Sequence, residues 1–162
     1  MKTPINLPHS VNPRVPEAHA PFFHSTAVQI RFNDVDMLGH LNNNIYFTFM
    51  DLAKARYFND IAGHLVNWGE INMAVVNINA NFYAPSFIDS NLEVLTSVIA
   101  ISAHSLTMEQ RVVDIETGEV KCSAVTIMAG YDVKTASSLP IDNKWRDAIY
   151  EWEERELPQH AR

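Results

Sequence analysis

The sequence specifies an α+β domain in which a long antiparallel sheet curls round one buried helix. A short run with period-two hydrophobicity comes first, a helix free of proline and glycine comes next, and four runs dense in Val, Ile, Thr and aromatics complete the set. In the first run Val28, Ile30 and Phe32 alternate with Gln29, Arg31 and Asn33, the signature of a strand with one buried face. The helix starts within Asn42, Asn43 and Asn44 and continues from Ile45 to Asn59. Its apolar residues Ile45, Phe49, Met50, Leu52, Ala53, Tyr57 and Phe58 spread round most of the circumference, so it belongs inside something. The β-rich runs are Asn72 to Tyr83, Asn91 to Ala103, Ser105 to Ile115 and Glu119 to Tyr131. Glu116 to Glu119 reads as a hairpin turn around Gly118, and Ala84-Pro85-Ser86 with Asp89-Ser90 as another break. Pro140 stops the sheet and Asp142 can cap a helix after it. Trp145, Ala148, Ile149 and Trp152 recur at helical spacing and predict a short terminal helix packed on the body.

At 162 residues, 47% of them hydrophobic, the chain can bury one sizeable core without a disulfide or structural metal. The expected division is an extended N-terminal arm at residues 1–25, the main domain at 26–140, and a C-terminal helix and tail at 141–162. Prolines at 4, 8, 13, 16 and 21 predict a loosely ordered arm, and His9, His19 and His24 lack a ligand spacing, so they read as solvated side chains. The lone Cys122 excludes a disulfide framework and a cysteine-based zinc cluster. No apolar stretch near the start suits a signal peptide or membrane span, and together these point to the cytoplasm. A net charge of -7 argues against nucleic acid and anionic membranes as partners. A single curled sheet leaves edges and a face to cover, which predicts a homodimer or homotetramer.

Polar side chains are densest at the strand-to-helix junction, Asn33 to Tyr46. A helix N-terminus presents unpaired N–H groups and partial positive charge that can polarise a carbonyl, and an acid just before it can activate water. Asp36 is best placed for that work, while Asp34 can orient the loop through backbone hydrogen bonds. Gly39 permits a tight turn beside a ligand. The same residues also suit a simple capped helix start. Cys122, inside an alternating run, reads as a small buried residue. Asn77, Asn79 and Asn81 share one side of their strand and suit an interface or solvent. Neither G-x-S-x-G nor H-E-x-x-H occurs, so a serine hydrolase of the α/β type and a zinc protease are unsupported.

The string Arg31-Phe32-Asn33-Asp34-Val35-Asp36-x-x-Gly39-His40-x-Asn42-Asn43-x-x-Tyr46, with Asp51 and Arg56 further along the helix, resembles the hotdog-fold acyl-CoA thioesterases of the 4-hydroxybenzoyl-CoA thioesterase superfamily. Acyl carrier protein thioesterases are similar too. The resemblance runs from about Thr26 to Pro140 and implies a five-stranded antiparallel sheet wrapped around the central helix, a dimer joining two sheets, and thioester hydrolysis at the subunit interface. It assigns Asp36 as nucleophile or general base, the backbone N–H at Asn43 to the thioester carbonyl, and His40 to the site. Gly39, Asn42 and Tyr46 complete the expected substrate-binding set. Some relatives carry asparagine two positions after the acid, where this chain has Leu38, so their Asn-His arrangement does not transfer whole. The implied substrate is an acyl-CoA or acyl carrier protein thioester, with coenzyme A part of the substrate and no metal or redox cofactor. A same-fold hydratase or dehydratase, and a non-catalytic acyl-CoA-binding module, are the alternatives. Phe49 and Phe82 are expected in the acyl pocket, and Arg56, Lys121, Lys134 and Lys144 are the candidates for the coenzyme A phosphates.

Overall fold

A computed structural model describes residues 1–7 and 11–161, so Pro8, His9 and Ser10 of the arm lie outside the described residues. The elements are β1 (His24–Ala27), a 3-10 turn (Phe32–Asp34), α1 (Asn43–Ala62), α2 (Trp68–Ile71), β2 (Met73–Phe82), β3 (Leu92–Ile101), β4 (Ser105–Asp114), β5 (Val120–Asp132), β6 (Ser137–Ser138) and α3 (Asn143–Glu153). Five strands form an antiparallel sheet in the order β1-β3-β4-β5-β2, and the two-residue β6 pairs with β5.

Period-two alternation decides which residues meet the helix. Thr26, Val94, Val112, Cys122 and Phe82 pair in one row across all five strands, and Tyr46, Phe49, Met50 and Ala53 of α1 pack on that side. A second cluster joins Tyr57 and Phe58 of α1 to Val98, Leu106 and Met108 of the sheet and to Trp145 and Ile149 of α3. Gly63, at φ 74°, ends α1 with its N–H on the Asn59 and Asp60 carbonyls. Asp142 caps α3 as its sequence predicts, accepting from Lys144 N at 2.8 Å.

Three expectations are corrected. The first strand lies earlier than Val28 to Asn33, because β3 starts at Leu92 and offers nothing for residues past Val28 to pair with. The last ladder contact is Val28 N to Leu92 O at 3.3 Å, and Phe32 is 83% exposed. The alternation keeps its parity but buries Phe22, His24 and Thr26. The helix is covered on one side only, since Thr48, Asp51, Leu52 and Arg56 are exposed. The described part of the arm is docked rather than loose: Ile5 N donates to Phe22 O, and Ile5, Leu7 and Phe22 pack on Leu95 and Val113 of the sheet's convex face. Two of its histidines are held as well. His19 Nδ1 lies 2.9 Å from Glu109, and His24 is buried against Asp60 at 2.7 Å, where burial lowers its pKa despite the carboxylate's opposing pull.

Candidate active site

Two loops meet at the start of α1. The first, residues 35–41, is closed by an antiparallel bridge between Val35 and Leu41 and by Asp36 N donating to His40 O at 2.9 Å. Gly39 sits at φ 77° inside it, a conformation that costs any side-chain-bearing residue about 1–2 kcal/mol. The second loop is the Ala84–Ser86 break after β2. Leu41 N donates to Ser86 O at 2.8 Å, and the Tyr46 hydroxyl meets Ser86 Oγ at 2.8 Å in a buried contact, which fastens the loops and the helix together. Burial holds the Tyr46 phenol above its ordinary pKa, so it stays protonated. Ser86 is a fastening residue that sequence reasoning missed; a serine in a turn gives no signal of a buried partner forty positions away.

Between these loops lies a cleft of about 470 Å³ lined by Asp36, His40, Leu41, Asn42, Asn43, Tyr46 and Phe82 to Pro85. Five of the six predicted site residues therefore meet in one cleft, and Gly39 shapes the loop without lining it. Asp36 is exposed. Its Oδ1 accepts from Leu38 N at 2.8 Å and His40 N at 3.0 Å, and Oδ2 has no protein partner among the described residues. The His40 ring stands edge-on to Phe87 with centroids 5.2 Å apart. Asp34, in contrast, is buried and structural. Arg31 binds it through the guanidinium at 3.1 Å and the backbone N–H at 2.8 Å. Burial raises the Asp34 carboxyl, but these donors outweigh burial and hold it below the usual carboxylate range. Its carbonyl accepts from Asn42 N at 2.9 Å and so fixes where α1 begins.

The helix start itself is open. Asn42 is the N-cap, yet its side chain makes no capping bond, α1 has no acid in its first turn, and neither Asn43 N–H nor Asn44 N–H finds an acceptor among the described residues. A 20-residue helix thus presents its positive end and free donors beside a carboxylate with one free oxygen.

Other candidates fall away from the cleft. Phe82 lines it, but Phe49 is buried in the core and does not, so its expected place in the pocket is corrected. Asp51 pairs with the buried Lys54 at 3.1 Å and lines a separate cleft between α1 and β2. Cys122 is fully buried, and burial pushes its thiol up to about 12, which leaves it unreactive at neutral pH. Asn77, Asn79 and Asn81 are exposed and line none of this cleft. No group of three or more His, Cys, Asp and Glu side chains among the described residues is placed to hold a metal ion.

A sheet curled on one long helix, with a polar cleft at the strand-to-helix junction, is the hotdog fold. The chain belongs to the thioesterase-like superfamily, whose family model matches residues 30–152. The long-chain acyl-CoA thioesterase FadM of Escherichia coli K12 is 23% identical over 130 residues, covering 76% of this chain and 95% of that protein. Among solved structures, a thioesterase from Thermus thermophilus complexed with coenzyme A and Zn is 26% identical. It aligns with 84% of this chain and 98% of its own at a TM-score of 0.74. The 1,4-dihydroxy-2-naphthoyl-CoA thioesterase from Synechocystis shares the fold at 18% identity and a TM-score of 0.68, over 78% of this chain and 94% of its own.

Proposed function

We propose that this protein hydrolyses acyl-CoA thioesters to a free acid and coenzyme A. One observation carries the reading: the free Oδ2 of Asp36 and the uncapped start of α1 line the same cleft. Asp36 either takes a proton from water as that water attacks the thioester carbon, or attacks the carbon itself. The second route gives an acyl-aspartyl anhydride that water then hydrolyses to the free acid and the Asp36 carboxylate. The Asn43 N–H and the helix dipole receive the charge that builds on the carbonyl oxygen. Collapse of the tetrahedral species expels a thiolate, which leaves readily because a thiol's pKa is about 8.5. The reaction as proposed draws on a carboxylate, water and backbone donors, and coenzyme A enters only as part of the substrate. The FadM-like and coenzyme A-bound relatives support this substrate class.

The working unit in this reading is at least a homodimer. β2 is a ten-residue edge strand with Val75, Val76 and Ile78 exposed, and it ends at Phe82 in the cleft wall, so a second copy pairing along β2 would cover the edge and complete the site. The test is thiol release from acyl-CoA thioesters of increasing chain length, run beside a hydration assay on an enoyl-CoA. Thiol release without hydration supports the proposal; hydration without thiol release replaces it with a same-fold hydratase.

A further inference from the structure

The basic side chains that the sequence offers for phosphate binding separate clearly in space. Lys144 pairs with Glu70, Arg56 lies on the exposed side of α1, and Lys134 sits in the turn after β5; none lines the cleft. Lys121 reaches the cleft wall at the Pro85 carbonyl, at 3.0 Å, but it is buried and paired with Glu119. The cation that reaches the same wall from outside is Arg14 of the N-terminal arm. Its Nη2 donates to the Phe82 carbonyl at 3.4 Å and its guanidinium carbon lies 5.9 Å from the centre of the Tyr83 ring. Phe82 and Tyr83 both line the cleft. Arg14 is exposed and has no carboxylate partner among the described residues, so most of its donors remain available.

Its position is built rather than incidental. Asn12 Oδ1 accepts from Arg14 N at 3.0 Å and Asn12 O accepts from Val15 N at 3.0 Å, which folds the arm into a turn with Arg14 at its tip. Just beyond, Arg111 donates to Pro16 O at 2.6 Å, and Glu109 accepts from His19 N at 2.9 Å. Glu109 and Arg111 are buried on β4, so the turn is clamped to the sheet on its far side. Residues 11–19 lie before the family-matched segment, so this cation is an addition to the shared domain.

We propose that Arg14 binds a phosphate of the coenzyme A end of the substrate as that end leaves the cleft past Phe82 and Tyr83. The proposal rests on the thioesterase reading for the identity of the ligand. A guanidinium suits the role because it stays charged and pairs two donors with a phosphate's oxygens, and a protein of net charge -7 must supply such a cation locally.

Calorimetric titration of the wild type, Arg14→Ala and Arg14→Lys with coenzyme A, 4′-phosphopantetheine and pantetheine tests it without relying on turnover. Arg14→Ala should weaken coenzyme A about tenfold, Arg14→Lys should recover part of that, and pantetheine should change less than about twofold. An equal loss with 4′-phosphopantetheine places the contact on the phosphate shared with carrier-protein substrates; an unchanged value places it on the nucleotide phosphates. In turnover, Arg14→Ala should raise KM for acyl-CoA and leave kcat unchanged. Unchanged coenzyme A binding, an equal loss with pantetheine, or a wild type that does not bind coenzyme A overturns the proposal. Arg14-dependent binding without thioester hydrolysis would sink the hydrolase reading alone, and hydrolysis with Arg14-independent binding would sink this one alone.

Discussion

Replacing Glu153 by alanine should destabilise the protein by about 3–5 kcal/mol, because it breaks a buried polar network that ties α3 to the sheet. Glu153 is 1% exposed. Its Oε1 accepts from Tyr57 Oη at 2.7 Å and from Val98 N at 2.8 Å, and its Oε2 accepts from Ser97 Oγ at 3.2 Å, with Arg155 at 3.6 Å. The Val98 N–H is free for this because it faces the β1 side of β3, where the ladder ends at the His24–Thr96 pair and leaves Val98 without a strand partner. In the alanine variant Ser97 still has Arg155 and the Val98 carbonyl nearby, but the Tyr57 hydroxyl and the Val98 N–H lose their acceptor, each costing about 1–3 kcal/mol. Glu153→Gln keeps the shape and an acceptor for both, so it should cost only about 1–2 kcal/mol. Burial is the largest influence on the Glu153 carboxyl and keeps it above its ordinary pKa, even though its donors and Arg155 pull the other way. As pH rises, the unfolded chain therefore releases this proton first, near pH 4.3, and unfolding gains. Glu153 thus contributes stability that is fully present below about pH 4.3 and is lost as pH climbs through its raised folded value; Glu153→Gln should remove that downward slope. Urea unfolding followed by tryptophan fluorescence reads both effects, since Trp145 and Trp152 lie on α3. A Glu153→Ala variant within about 1 kcal/mol of wild type would refute the network.

Gly130→Ala should lower the thermal midpoint, because a Cβ there would sit 2.0 Å from the Leu139 carbonyl oxygen, which is backbone and must move. Overpacking of this kind costs about 1–3 kcal/mol, and an unchanged midpoint in a heating scan would show that the 139–140 segment yields freely. Light scattering at micromolar protein should give at least twice the monomer mass. An active monomer would contradict the second copy proposed along β2.

The core elements were legible because their patterns are strong and local. The runs at β2 to β5 are long and bounded by turn residues, and their observed ends fall within about two residues of the expected ones. Trp145 and Ile149 marked the buried stripe of α3 at the right spacing. The first strand slipped because alternation fixes a face without fixing where the partner strand begins. For the cleft, a short sequence window sufficed to gather Asp36, His40, Asn42 and Asn43, since loop and helix start are contiguous. Ser86, Glu153 and Arg14 were invisible for the opposite reason. Each acts through a partner 40 or more positions away, and a polar residue in a turn, a helix or an arm reads the same with or without that partner.

The central claim is that the free oxygen of Asp36 drives thioester hydrolysis at the start of α1, and thiol release by wild type, Asp36→Asn and Asp34→Asn on one acyl-CoA tests it most directly. The asparagine at 36 can still accept from Leu38 N and His40 N, so the loop should hold its shape while turnover falls by about 10²–10⁴-fold at unchanged thermal stability. Asp34→Asn should instead lower stability, by weakening the bonds of this buried carboxylate to the exposed Arg31, together with activity. Turnover near wild type in Asp36→Asn, with loss confined to a stably folded Asp34→Asn, would contradict the assignment.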